Sequence, residues 1–141
     1  MSLPIRPEQV WRPTLGHRTL ARVAVPLSWL LVRFSPRTIR RTLSLPFLGK
    51  RRPRPQEVLE WRNAVNHVSH HCAGNGCLQR SVAVMIIGFM HGRAPVWCTG
   101  FRLDPFSAHA WVEIDGAPIG EVGVVSEYKK VMSASPQWAQ E

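Results

Sequence analysis

The sequence predicts an α+β domain in which helices pack on a small antiparallel sheet. Apolar residues recur at spacings of three and four over residues 58–68 and 78–89, the period of a helix with one buried face. Residues 96–103 and 109–114 alternate with period two, as strands do, and Asp115-Gly116 then marks a tight turn. At 141 residues the chain has the length of one domain.

The N-terminal third predicts short helices separated by proline-rich segments. Residues 1–16 contain three prolines and read as an irregular arm, and a helix follows from about residue 18 to 34. Ser35 is a suitable cap and Pro36 a suitable first residue for a short helix through Thr42. The basic segment 46–55, with three further prolines, is expected to be a linker.

The remaining chain predicts two helices and then three strands. One helix begins at Pro55 and runs to about His71, and a second begins at Cys77, after the turn pair Asn75-Gly76, and closes at Gly92. The third strand is expected over residues 117–125. We therefore divide the chain into an arm, basic helical lobe and linker (1–54), a core of helices and strands (55–132) and a frayed tail (133–141) whose one anchor is Trp138.

The predicted hairpin after His109 determines which acidic side chain can lie beside the His109 imidazole. With a three-residue loop of Asp115, Gly116 and Ala117, Glu121 would share a face with His109 across the hairpin, whereas a two-residue loop would move it to the opposite face. Glu113, on the same strand as His109, would lie about 13 Å away. Glu121 is therefore the expected orienting acid.

Cys77 lies where a helix start can activate a thiol. The backbone N–H groups and the positive dipole end of the first turn favour a thiolate, and a neighbouring imidazolium favours it further. Mid-strand Cys98 lies among apolar neighbours and is expected to be inert. We therefore expect Cys77 as nucleophile and His109 as general base.

The charge is uneven, with a net +10 over residues 1–62 and −1 over residues 63–141. The basic part favours an acidic peptide or partner protein, and a merely solvated basic face stays open as the alternative. Nucleic acid is disfavoured because no recognition motif and no interleaved aromatic residues accompany the arginines. The apolar run 21–32 is too short and too interrupted to span a bilayer, although a surface-lying helix stays open. Three cysteines without framework spacing indicate free thiols and a cytoplasmic protein.

No cofactor is expected. A second group of residues could suggest zinc: His67, His70, His71, Cys72 and Cys77. A polar helix end explains the histidines better, because no paired ligand set follows elsewhere. The sequence also has no Gly-rich phosphate loop. We therefore expect no metal, and any ATP would have to be bound without such a loop.

The block Cys77-Leu78-Gln79-Arg80-Ser81, followed by Asp104 to Ala108 and then His109-Ala110-Trp111-Val112-Glu113, resembles the transglutaminase-like leader peptidases of lasso peptide biosynthesis. These are the B proteins, specifically the peptidase half of the split form. The resemblance covers about residues 56–125. It implies a papain-like fold and a triad of Cys77, His109 and Glu121, although the family often has Asp at the third position.

The resemblance also implies the reaction and the partners. A cysteine peptidase would cleave the leader from a ribosomally made precursor, with a small leader-recognition protein and an ATP-dependent lasso cyclase as partners. We expect Arg80, Ser81 and Phe106 to line the substrate pocket and Trp111 to pack beside the imidazole. Two alternatives stay open: a transglutaminase-like acyltransferase with the same triad, and a noncatalytic leader-binding module.

Overall fold

Five helices precede a four-stranded sheet in the computed structural model, which describes residues 11–45, 49–121 and 125–140. The helices are α1 (Leu15–Leu31), α2 (Pro36–Leu43), α3 (Pro55–Val68), α4 (His70–Ala73) and α5 (Cys77–Met90). The strands are β1 (Val96–Arg102), β2 (Ser107–Ile114), β3 (Ala117–Pro118) and β4 (Lys129–Ala134), with 3-10 turns at Val125–Glu127 and Gln137–Gln140. The predicted α+β class is confirmed.

Local signals set most helix starts where the sequence predicts them. The Ser35 hydroxyl accepts a hydrogen bond from the Thr38 N–H, and Pro36 is the first residue of α2. Helix α3 begins at Pro55 and α5 at Cys77, as expected. The helix predicted from residue 18 begins three residues earlier and continues through Pro26 to Leu31.

The single helix predicted from Pro55 to His71 is wrong at its end. Ser69 adopts an extended conformation with φ −125° and ψ 112°, and its hydroxyl accepts a hydrogen bond from the Cys72 N–H. The serine therefore ends α3 and starts the separate turn α4, because its side chain caps a new helix instead of continuing the old one.

The sheet is antiparallel, in the order β3-β2-β1-β4. Strand β4 pairs along β1, with Trp97 opposite Ala134, so the prediction of a frayed tail from residue 133 is wrong for the residues that complete this strand. Strand β4 begins with two lysines and is largely exposed at the edge of the sheet. Its sequence therefore lacks the alternation of apolar and polar residues from which a strand is predicted. Trp138 does anchor the following turn, donating from Nε1 to the Ala94 carbonyl at 2.6 Å.

One core joins the N-terminal helices to the rest. Helix α1 packs on α3 and α5, and α5 packs on β2. The core cluster includes Ala24 of α1, Leu43 of α2, Trp61 of α3 and Met85 of α5. The helices before residue 54 and the elements after it therefore share one core. Within the described part of the chain, no helix is both long and apolar enough for a bilayer crossing.

Candidate active site

Cys77 is the first residue of α5, at the positive end of the helix dipole. Burial would raise the pKa of its thiol, but a hydrogen bond with His109, the Ala110 backbone N–H and the nearby Arg80 charge together lower it below its ordinary value. The sulfur is thus surrounded by groups that favour the thiolate, the form that acts as a nucleophile.

His109 lies on β2 and contacts both other members of the predicted triad. Its Nε2 is 2.9 Å from Oε2 of Glu121, which leaves Nδ1 for the thiol of Cys77. Burial would lower the pKa of the imidazole, but the hydrogen bonds with Cys77 and Glu121, and the negative charges of both, raise it to about 9. The ring is therefore positively charged at neutral pH, with the sulfur of Cys77 on one side and the carboxylate of Glu121 on the other.

Glu121 is held between a histidine and an arginine. Oε1 accepts a hydrogen bond from Nη1 of Arg62 at 3.2 Å, and both side chains are 7% exposed. Burial would raise the pKa of Glu121, but the hydrogen bond from His109 and the charge of Arg62 lower it below its ordinary value. Arg62 lies on α3, where its helical spacing gives no sign of this contact, and the sequence reasoning missed it.

The hairpin brings Glu121 to His109 by a route that the sequence reasoning did not foresee. Ile114 pairs with Ala117, so the loop has two residues and the predicted three-residue loop is wrong. A regular continuation of this register would place Glu121 on the face away from His109. The ladder stops instead after the Ile119 N–H donates to the Val112 carbonyl, and Gly120, at φ +74°, turns the chain back toward the imidazole.

Gly120 also allows α3 to approach the hairpin. A Cβ at this residue would lie 2.6 Å from Cδ of Arg62 and 3.2 Å from Cδ2 of Leu59. The same glycine therefore provides the positive φ that redirects Glu121 and the space that Arg62 needs to reach it.

Two aromatic rings surround the imidazole. Trp111 stacks on His109 with ring centroids 5.9 Å apart and an interplanar angle of 16°, as the sequence predicts for a residue two positions along the strand. The ring of Tyr128, which the sequence reasoning did not single out, lies 5.6 Å from that of His109 and 6.3 Å from that of Trp111, measured between centroids. Together they restrict the motion of the ring and its access to water.

Arg80 and Ser81 do not line an open pocket, contrary to our expectation. Both are buried, at 5% and 4% exposure. Arg80 donates from Nη1 to the Cys72 carbonyl at 2.8 Å, and Ser81 accepts a hydrogen bond from Nε1 of Trp97 at 3.0 Å. Both side chains lie in the stretch 80–85 of α5, in which every residue is buried. Arg80 still acts on the thiol through its charge.

Phe106 lies on the loop between β1 and β2 and is 71% exposed. Its ring is 6.4 Å from that of Phe101, which does line the groove described below. Phe106 therefore does not line the groove itself, and the ring of Phe101 lies between it and the groove.

The other two cysteines have environments that oppose reactivity. Cys98 is fully buried, and burial together with the charge of Glu113 raises its pKa to about 12. Burial likewise raises the pKa of Cys72. Among the residues that the structure describes, no group of three or more His, Cys, Asp or Glu side chains is arranged to hold a metal ion, and this includes His67, His70 and His71.

An apolar groove opens beside the thiol and the imidazole. It measures about 300 Å³ and is lined by Pro36 and Ile39 of α2, Cys77 and Leu78 of α5, Trp97 to Phe101 of β1 (without Cys98), Ala108 to Ala110 of β2, and Val131 of β4. A larger cavity of about 520 Å³ lies elsewhere, lined by ion-paired side chains that include Arg52, Asp115 and Glu113. The groove at the thiol is the relevant one, since it alone of the two contains candidate catalytic groups.

A helix-start thiol, a strand imidazole and a buried carboxylate define the class of cysteine-dependent acyl-transfer sites. The family model of the transglutaminase-like superfamily matches residues 21–133, from α1 into β4. The chain belongs to this superfamily, whose members are typically cysteine peptidases or acyltransferases. Comparison with curated proteins gives no match, and neither does comparison with solved structures.

Proposed function

We propose that the protein is a cysteine peptidase that removes the leader from a ribosomally made lasso peptide precursor. The observation that carries the chemical part is the contact of His109 with Cys77 on one side and with Glu121, at 2.9 Å, on the other. The resemblance of the Cys77 and His109 blocks to the lasso leader peptidases supports the substrate.

In the proposed reaction Cys77 Sγ attacks the carbonyl carbon at the leader junction. The carbon–nitrogen bond then breaks, His109 gives its proton to the departing amine, and the leader remains as a thioester on the sulfur. Water next attacks the thioester while His109 accepts its proton, and the leader leaves with a carboxylate as the thiolate is restored. The backbone N–H of Cys77, at the helix start, would stabilise the oxyanion of each tetrahedral intermediate.

The charge state of the site suits this sequence of steps. With a pKa of about 9, His109 begins protonated at neutral pH, so it can act as the acid for the leaving amine without an earlier proton transfer. Glu121 stabilises that charge, and Arg62 holds Glu121 in place. A noncatalytic binding module would not require a thiol with a lowered pKa, which is why we favour catalysis.

The N-terminal helices supply a surface for the partners that we propose, a small leader-recognition protein and an ATP-dependent cyclase. Val23, Leu27 and Leu30 of α1 recur at helical spacing and are 43–55% exposed, forming an apolar stripe. Helix α1 has no acidic residue, and α2 carries three arginines. A partner with an apolar patch bordered by acids would complement this surface. We place the reaction in the cytoplasm, where an active-site thiol stays reduced.

An acyltransferase is the second candidate, because the superfamily contains both chemistries. The first step would be the same, and an amine would replace water in the second. The mass of the product separates the two: hydrolysis leaves a leader with a free carboxyl group, and transfer leaves an amide with the added amine.

The test is to mix precursor, recognition protein and this enzyme and to follow the products by mass spectrometry. We expect cleavage at one junction by the wild type and none by Cys77→Ala. The Cys98→Ala variant, which removes a buried thiol of raised pKa, serves as the control and should retain cleavage. Cleavage by Cys77→Ala would refute the proposed mechanism, and binding of the precursor without cleavage by the wild type would favour the binding module.

A further inference from the structure

The groove beside Cys77 has walls from distant parts of the chain. Ile39 and Trp97 are almost fully buried, at 2% and 1% exposure, and form its floor, whereas Val131 is 62% exposed and lies at its rim. Leu78 and Phe101 complete the apolar surface. Because Cys77 and His109 line the same groove, a side chain bound there would lie next to the carbonyl that the sulfur attacks.

Helix α2 is a structural part of this groove rather than an appendage. Its Ile39 faces inward, and its outward face is tied to the sheet by Arg40, whose Nε donates to the Ser133 carbonyl of β4 at 3.1 Å. The helix start is fixed by the Ser35 cap, which places Pro36 at the groove. The basic N-terminal segment therefore contributes directly to the surface next to the thiol.

The charges at the site argue against a charged occupant. Among the residues that line the groove, the ionisable side chains are those of Cys77 and His109, which pair with each other, and His109 also pairs with Glu121. A buried ammonium group would find no carboxylate in these walls, and a buried carboxylate would lie beside the thiolate. The free-energy cost of burying an unpaired charge in an apolar site is several times larger than the free energy gained by burying an apolar side chain there.

We infer that this groove binds one apolar side chain of the acyl substrate, next to the carbonyl that Cys77 attacks, and selects against a charged side chain at that position. The inference rests on the proposed function insofar as a peptide acylates Cys77. It adds a substrate class to that function: a peptide with an aliphatic or aromatic residue beside the cleaved bond.

Alkylation of Cys77 tests the groove without any precursor. Three probes share one reactive group: iodoacetamide, its N-benzyl derivative and its N-(2-carboxyethyl) derivative. In each reaction the sulfur forms a bond to carbon and iodide leaves. The rate of each probe with the 141-residue protein at pH 7.5 is measured by intact mass, and the site of labelling is mapped by peptide mass. Each rate is then divided by the rate of the same probe with glutathione.

We expect the normalised alkylation rate of the benzyl probe at Cys77 to be about tenfold higher than that of iodoacetamide, because the benzyl group buries apolar area near the reacting atom. The normalised rate of the carboxyethyl probe should be no higher than that of iodoacetamide. Val131→Arg places a charge at the exposed rim and should reduce the benzyl preference to about that of glutathione. Pro36→Asp should do the same, while the acid at the first turn favours α2. Met90→Arg, at the exposed far end of α5 and outside the groove, is the matched control and should retain the preference.

Two outcomes would overturn the inference: equal normalised rates for the benzyl and carboxyethyl probes with the wild type, or a benzyl preference that survives both rim variants. Thermal unfolding of each variant, followed by circular dichroism, identifies a variant that has lost its fold. If the wild type shows the benzyl preference but cleaves no precursor, the apolar side-chain site is supported and the leader peptidase function is refuted. If it cleaves precursor without the benzyl preference, the peptidase function is supported and the apolar side-chain site is refuted.

Discussion

Removal of the Glu121 charge should uncouple the imidazole from the thiol. The difference between the ordinary pKa of 6.5 and about 9 for His109 corresponds to ~3 kcal/mol in favour of the charged ring, at ~1.4 kcal/mol for each pKa unit. At pH 7.5 this keeps roughly 97% of His109 protonated, against about 9% at the ordinary value. Glu121→Gln retains a hydrogen-bond acceptor of nearly the same size but removes the negative charge that helps to raise the pKa.

The assay is the pH dependence of iodoacetamide alkylation at Cys77, with labelling located by peptide mass mapping. In the wild type the rate should rise with pH at values below the ordinary thiol pKa, because the imidazolium favours the thiolate. In Glu121→Gln the rise should move to higher pH, and the rate at pH 7.5 should fall about tenfold as the thiolate fraction falls. Glu121→Ala removes the acceptor as well and should move the rise further.

Glu127→Gln is the matched control, because that carboxylate pairs with Arg102 at an exposed position and does not touch the imidazole. Its alkylation profile should coincide with that of the wild type. If the Glu121→Gln profile also coincides with the wild type, while thermal unfolding shows the variant to be folded, then Glu121 does not support the thiolate and imidazolium pair, and the reasoning is refuted.

Further predictions concern the groups around the acid and the end of the sheet. Gly120→Ala should lower both the free energy of unfolding and the alkylation rate of Cys77. Gly92→Ala is the control, since Gly92 has a similar positive φ but nothing within 4 Å of the added Cβ, and it should lower the free energy of unfolding alone. Arg62→Met should raise the pKa of Glu121 and slow alkylation at pH 7.5. Because the pKa of Glu121 is lowered in the folded protein, its carboxylate contributes stability that is present above pH 4.5 and is lost as the pH falls further. The loss of unfolding free energy in Glu121→Gln, measured by urea unfolding, should therefore shrink in acid. A difference between the two proteins that stays constant with pH would contradict this prediction. Trp138→Ala should lower the free energy of unfolding by about 3 kcal/mol and leave alkylation unchanged, and an unchanged urea midpoint would show that this turn is not anchored.

For this protein the sequence alone determined the features that depend on near neighbours. Ser35 and Pro36 mark the start of α2, and Cys77 begins α5 after Asn75-Gly76, because capping and turn preferences act over a few residues. The alternation through β2 placed Trp111 on the face of His109, and the stacking of the two rings follows from it. The α+β class follows from the same two periods.

The tertiary structure decided the features that depend on packing between distant segments. Ile39 lines the groove at the thiol from 38 positions upstream, and β4 pairs with β1 at the edge of the sheet, although neither has a local signal for that placement. Arg62 meets Glu121 only because Gly120 turns the chain out of the hairpin register, a single positive φ that no periodicity predicts. Helical and strand periods specify which face of an element is buried, but the partner on that face is selected by how all the elements fill one core.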